Sequence, residues 1–179
     1  MDYGSDNVHR LKLSGKSAFN LAGPAAALVL VAPTAASAGT QATNMPVSAT
    51  VTANCTISAG SVLFGNVNTM AGNHDATGTV TVSCTNGAAW SVSAGAGNGA
   101  SATMAVRRLT SGANTLNYSL YTSGTYGTVW GDGTSGTAAI SGTGNGAAQS
   151  FTVYGRIPSG QTSVPTGSYS DLVSITVTY

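Results

Sequence analysis

The side chains that could do acid–base or nucleophilic work are few and poorly matched. Beyond the first 38 residues the ionisable set is Arg107, Arg108, Arg156, Asp75, Asp132 and Asp171, with one histidine, His74. His74-Asp75 is the single acid–base couple of that region. Adjacent residues in a Gly/Asn/Asp-rich loop rarely face each other. Three scattered aspartates and no glutamate argue against paired-carboxylate hydrolysis. None of the many serines sits in a Gly-x-Ser-x-Gly elbow. Two cysteines, Cys55 and Cys84, without a Cys-x-x-Cys or a suitable histidine pair, do not make a zinc site. The reading is therefore not an enzyme, with no catalytic residues, no metal and no cofactor.

The chemistry that remains belongs to the main chain. Ser168–Tyr179 alternates apolar and polar residues up to its last position, so Val173, Ile175, Val177 and Tyr179 share one face. No turn signal and no returning strand come after it in the sequence. A second alternating segment lies ahead of the first cysteine, with Met45, Val47, Ala49 and Val51 two residues apart. A spare strand at the front and an unfinished edge at the back suggest completion between molecules. Read from these residues alone, Met45–Val51 is equally the first strand of its own sheet.

The elements that must position these segments are strands. The N-terminus reads first as an export signal and is set aside. Arg10, Lys12 and Lys16 form a positive region, Leu21–Ala32 an apolar run, and Ala36-Ser-Ala38 a small-residue cleavage site. The apolar run is short for a membrane anchor and is interrupted by Gly23-Pro24. Residues 1–38 are thus expected to be cleaved, and the mature chain is not expected to insert stably in a membrane. Residues 39–179 carry no Lys and no Glu and are neutral apart from the termini. Nucleic-acid binding needs cations to displace counterions from phosphate, which this chain lacks. Near-zero charge also gives little self-repulsion, which suits a protein that associates. Two cysteines in an exported chain favour one disulfide over two free buried thiols. The chain-entropy estimate for such a loop is about 3–4 kcal/mol.

Gly, Ser, Thr, Ala and Asn dominate, broken by short runs rich in β-branched and aromatic residues. These predict strands over 45–53, around Val62–Phe64, and over 79–84, 90–93, 104–110, 116–121, 128–130, 150–157 and 168–179. Asn86-Gly87 marks a turn. Many short strands with frequent turns and no amphipathic helix predict a sandwich or barrel. Trp90 is expected in the core and Trp130, beside Gly131-Asp132-Gly133, partly exposed. Arg107-Arg108 is expected to be a solvated pair, or an arginine paired with a carboxylate, rather than a ligand patch.

Several stretches together resemble the spore coat protein U domain family. They are Val47–Cys55 followed by Leu63-Phe-Gly65, Gly78–Cys84, Leu116–Tyr121, Val129–Gly133, Phe151–Pro158, Gly167–Asp171 and the final Val-Thr-Tyr179. Their order and spacing cover essentially everything after the signal. The resemblance extends to subunits of archaic chaperone–usher pili of the Csu type. It implies an all-β, incomplete immunoglobulin-like sandwich lacking its last strand. Residues 39–53 would be an N-terminal donor-strand extension and 54–179 the sandwich domain. Met45, Val47, Ala49 and Val51 would be the donor plugs, and Val173, Ile175, Val177 and Tyr179 the edge of the acceptor groove. A Cys55–Cys84 disulfide would staple the base of the first sandwich strand to the end of the next. Implied partners are other copies of the chain or related subunits, a periplasmic chaperone and an outer-membrane usher. The implied route runs through the periplasm to a surface fibre serving adhesion or biofilm formation. Pro46 departs from this picture, because a strand flanked on both sides loses a ladder bond at proline. The alternatives are a non-pilus extracellular or spore-coat protein of the same fold, and a small outer-membrane β-barrel.

Overall fold

The computed structural model describes residues 35–179. Residues 35–46 carry no regular secondary structure and are exposed. The export-signal reading falls almost wholly outside the described residues. From Val47 onward the chain is all-β, with eight strands: β1 (Cys55–Ala59), β2 (His74–Cys84), β3 (Ala89–Ala94), β4 (Arg107–Ser111), β5 (Asn114–Tyr121), β6 (Ile140–Thr143), β7 (Ala148–Ile157) and β8 (Ile175–Thr178). They form two open sheets rather than a closed barrel. One is five-stranded, in the order β1-β2-β7-β5-β4, and the other three-stranded, β6-β3-β8. Every strand pairing is antiparallel. Among the described residues no helix is long and apolar enough to cross a membrane, which says nothing about strands.

The period-two pattern places the core. In β2 the alternation Thr79-Val-Thr-Val-Ser-Cys84 turns Val80, Val82 and Cys84 inward. β7 contributes Val153 and Ile157, β5 Leu116, Tyr118 and Leu120, and β3 Trp90, Val92 and Ala94. Trp90 and Trp130 meet Phe151 from two directions, one ring nearly parallel to it and the other edge-on. The Asn86-Gly87 turn forms with Gly87 at φ +81°, a left-handed conformation that glycine adopts without steric penalty. Cys55 and Cys84 are direct cross-strand partners at the start of β1 and the end of β2, and they form the disulfide.

Five expectations need correction. Residues 45–53 are exposed and form no strand, because no neighbour among the described residues supplies a ladder. Residues 62–64 also lie outside the ladder, whose last bond runs from Gly60 N–H to the Thr79 carbonyl. Their alternation instead reflects packing, since Val62 and Phe64 point inward while Leu63 is exposed. Trp130 is 1% exposed. Its indole Nε1–H donates to the Val92 carbonyl at 3.1 Å, so the Gly-rich turn after it does not lift it into solvent. Arg107 is fully buried and neither solvated nor paired with a carboxylate. Its guanidinium donates to the backbone carbonyls of Gly95, Met104, Ala94 and Trp130. Finally, 168–179 is not one strand. Ser170 bridges Thr110 of β4, in the larger sheet, and Ile175–Thr178 pairs with β3, in the smaller.

Candidate strand-acceptor groove

Crossing from one sheet to the other leaves the C-terminal segment as one wall of an opening. Among the described residues, β8 has β3 on one side and no strand on the other. β1 is likewise the free edge of the larger sheet. The two edges converge where Tyr179 Oη donates to Asn54 Oδ1 at 3.4 Å. They flank a groove of about 610 Å³ whose walls are 57–64 and 169–175 and whose floor includes Val80, Leu120, Trp130 and Val153. A second chamber of about 700 Å³ continues it over Leu116 and Ile157 and reaches Val67 and Val164. Following the first wall from Asn54 to Val67 therefore means following the other from Tyr179 back to Val164. The walls are antiparallel.

Each wall is anchored from beneath. Val62 and Phe64 descend onto the larger sheet where it has no side chains. A Cβ on Gly155 would lie 2.8 Å from Val62 Cγ1 and 2.9 Å from Phe64 Cζ, and one on Gly78 would lie 2.8 Å from Val62 Cγ2. The Phe64 ring also meets Tyr118 edge-on, with centroids 6.0 Å apart. The opposite wall is held by Asp171. Its Oδ2 accepts from Tyr118 Oη at 2.7 Å, and its Oδ1 accepts from the N–H groups of Asn98 (2.7 Å) and Leu172 (2.8 Å). Burial and this carboxylate together push the Tyr118 hydroxyl well above the usual phenol range. Arg107 ties Ala94, the last residue of β3, and the following Gly95 to Trp130 of the floor. Burial pulls its affinity for its proton below the ordinary arginine value. The first chamber is mostly apolar, the second is mixed, with Asn66, Thr69, Thr166 and Ser168 in its lining, and Leu63 and Leu172 stand exposed on opposite rims.

The residues singled out from sequence fall into three groups. Cys55 and Cys84 are bonded at the narrow end. Val173 and Ile175 line the groove, Val177 is half-buried against the core, and Tyr179 is exposed beyond the end of β8. Met45, Val47 and Val51 are 83%, 87% and 84% exposed, and Ala49 is exposed as well. Sequence reading missed the other wall and the floor. Phe64, Leu109, Tyr118 and Tyr169 come from four separate stretches, and the only local hint was the pair of glycines, Gly78 and Gly155, inside otherwise apolar faces. The His74-Asp75 couple is dispersed. His74 Nε2 lies 3.0 Å from the Asn68 N and 2.8 Å from the Asn68 carbonyl oxygen, while Asp75 pairs with Arg156 at 2.7 Å.

Two antiparallel sheets with a groove between their free edges form an immunoglobulin-like sandwich. The chain belongs to the Spore Coat Protein U domain family, which matches residues 41–176. Among solved structures it is similar to a chain of the CsuC–CsuE chaperone–tip adhesion subunit pre-assembly complex from the archaic chaperone–usher Csu pili of Acinetobacter baumannii. The TM-score is 0.53 and the identity 20%, over 73% of this chain and 40% of that one. The chain thus spans less than half the length of that structural relative, and at this identity the likeness is one of fold. No curated protein sequence matches it.

Proposed function

We propose that this protein is an exported structural subunit of a surface fibre, joined head to tail by strand donation and serving adhesion or biofilm formation. Residues 39–53 are the donor extension and 54–179 the acceptor sandwich. The observation that carries this reading is one of complementarity. A groove whose first chamber is mostly apolar lies open between two sheet edges, and an exposed segment of the same chain carries apolar residues at the strand spacing of two. Strand addition uses both features: main-chain bonds give affinity and alternate side chains in pockets give register. Free edges of this kind are aggregation hazards unless covered. A periplasmic chaperone would cover the groove in transit, and an outer-membrane usher would exchange it for the next subunit's extension.

Chain connectivity supports donation from another molecule. A strand antiparallel to the C-terminal wall runs parallel to 54–67, with Met45 near the Asn54 end. Val51 would then lie about 20 Å further along the groove, six residues at the strand rise. Only Thr52, Ala53 and Asn54 separate Val51 from Cys55, and that tether spans at most about 14 Å. In this direction a chain cannot fill its own groove. Head-to-tail joining does not close on itself and so yields a filament.

The test is Val47→Asp with Val51→Asp. Both residues are exposed, so the sandwich should keep its stability within about 0.5 kcal/mol. Two lost plugs remove about 3–6 kcal/mol from the joint. On unheated denaturing gels the wild type should give a ladder of multiples that boiling collapses, and the variant only monomer. A normal ladder from the variant would refute donation by this segment.

A further inference from the structure

The chain contains three Asn-Gly pairs, Asn86-Gly87, Asn98-Gly99 and Asn145-Gly146. In such a pair the glycine's main-chain nitrogen can attack the asparagine side-chain carbonyl, because glycine has no Cβ to obstruct the approach. The attack needs that nitrogen free of a hydrogen bond and the side-chain amide free to turn back onto it. The fold meets both conditions at one pair. Gly87 N–H donates to the Gly144 carbonyl at 2.8 Å, and Gly146 N–H donates to the Cys84 carbonyl at 3.1 Å. Asn145 is held further, since its Oδ1 accepts from Ala147 N–H at 2.9 Å. Gly99 N–H, by contrast, has no acceptor among the described residues. Asn98 is exposed, so water reaches its side-chain amide. A Cβ on Gly99 would overlap the Arg108 carbonyl. Packing against β4 therefore demands the glycine that makes this pair reactive.

We propose that Asn98 is a self-modification site, converted without an enzyme to aspartate and isoaspartate, and that its conversion loosens the C-terminal wall of the groove. Gly99 N gives up its proton to solvent and bonds to Asn98 Cγ. The Cγ–Nδ2 bond breaks, and the side-chain amide leaves as ammonia. Water then adds to either carbonyl of the five-membered succinimide and opens it, one way to aspartate and the other to isoaspartate. Nothing is oxidised or reduced, and water is the only co-reactant. The place of the residue gives the change its consequence. Asn98 N–H donates to Asp171 Oδ1 at 2.7 Å, and the same carboxylate holds Tyr118 and Leu172. Either product puts a negative charge on the residue whose N–H Asp171 accepts, and like charges at short range repel. Isoaspartate also lengthens the main chain by one carbon between this N–H and Gly99. The backbone has no slack on the other side, because a Cβ on Gly97 would already overlap the Asp171 carboxylate.

Peptide mapping by mass spectrometry reads the site directly. Disulfide-intact, unpolymerised protein is incubated for days in mildly alkaline buffer, beside a sample that is reduced and unfolded in guanidinium. In the unfolded chain the three pairs should convert at similar rates. In the folded protein Gly87 and Gly146 must first break their bonds by local opening. Asn98 should therefore lead Asn86 and Asn145 by several-fold to about tenfold, the net worth of one hydrogen bond. Equal conversion at Asn86 or Asn145 in the folded protein overturns the proposal, as does an Asn98 left intact when the unfolded sample has reacted. A second arm reads the consequence. Asn98→Ala keeps the main-chain bond to Asp171 and cannot cyclise. Ageing should raise the unfolding constant of the wild type about tenfold, as read from urea midpoints, the loss of one hydrogen bond to a charged group. The aged Asn98→Ala variant should unfold as it did when fresh. Wild type that converts at Asn98 yet unfolds like fresh protein would overturn the loosening while leaving the modification site standing.

Discussion

Replacing Arg107 by methionine tests the reasoning behind the whole scaffold. The guanidinium is 0% exposed and donates to four carbonyls at 2.7–3.1 Å, those of Gly95, Met104, Ala94 and Trp130. Methionine fills much of the same volume and donates nothing. Each carbonyl left buried without a partner costs about 1–3 kcal/mol, a gross loss of about 4–12 kcal/mol. Taking a cation out of water itself costs several kcal/mol, and the substitution returns that part. The net expectation is a destabilisation of about 2–5 kcal/mol, a large fraction of the roughly 5–15 kcal/mol that holds a typical domain. Lysine should not rescue it. A lysine has three donors on a point charge, cannot reproduce the planar fork, and retains the desolvation penalty. The assay is urea unfolding of the disulfide-intact, unpolymerised protein, followed by tryptophan fluorescence, since Trp130 reports on the bonded region. A shift of the midpoint without a change in slope reads stability alone. A methionine variant within about 0.5 kcal/mol of wild type would refute the view that these four bonds hold the two sheets and the groove floor together.

Three further outcomes rest on the same geometry. Gly155→Val places methyl groups where Val62 and Phe64 already sit; it should cost about 1–3 kcal/mol in thermal or urea unfolding and weaken multimer formation in parallel, because the 60–67 wall must shift. Cys55→Ser with Cys84→Ser should lower unfolding stability by about 3–4 kcal/mol, and dithiothreitol should reproduce the loss in the wild type but not in the double variant. The Arg156 guanidinium holds the Asp75 carboxyl below its ordinary value, so the folded-state value lies under the unfolded one. The pair's contribution is therefore full above about pH 4 and is lost as pH falls through the depressed folded value. Because both groups are partly exposed, Asp75→Asn should cost no more than about 1 kcal/mol at neutral pH and nothing in strong acid, as read from urea midpoints across pH.

The alternation of β-branched residues, the near absence of charge and the paired cysteines are local or compositional properties. They pointed to an all-β sandwich or barrel with one disulfide and marked Met45–Val51 and the C-terminal segment as the two strips to watch; the resemblance to a known family chose the sandwich. What the sequence could not specify is where separate stretches meet. Val62 and Phe64 read as a strand because they alternate, yet their alternation serves packing onto Gly78 and Gly155, which lie in strands far along the chain. Arg107 read as solvated or carboxylate-paired because arginine is rarely buried without a partner charge, and only the convergence of four carbonyls, those of Ala94, Gly95 and Trp130 together with nearby Met104, makes its burial tolerable. Trp130 read as partly exposed because of the glycines after it, while its environment is set by Val92 and Phe151. Ser168–Tyr179 read as one continuous strand, whereas bonding divides it between two sheets at Ser170 and Ile175. Period and composition are carried by neighbouring residues and survive in the linear order. A groove is a property of edges that remain unpaired once every other strand has found its partner, so it exists only in the folded arrangement.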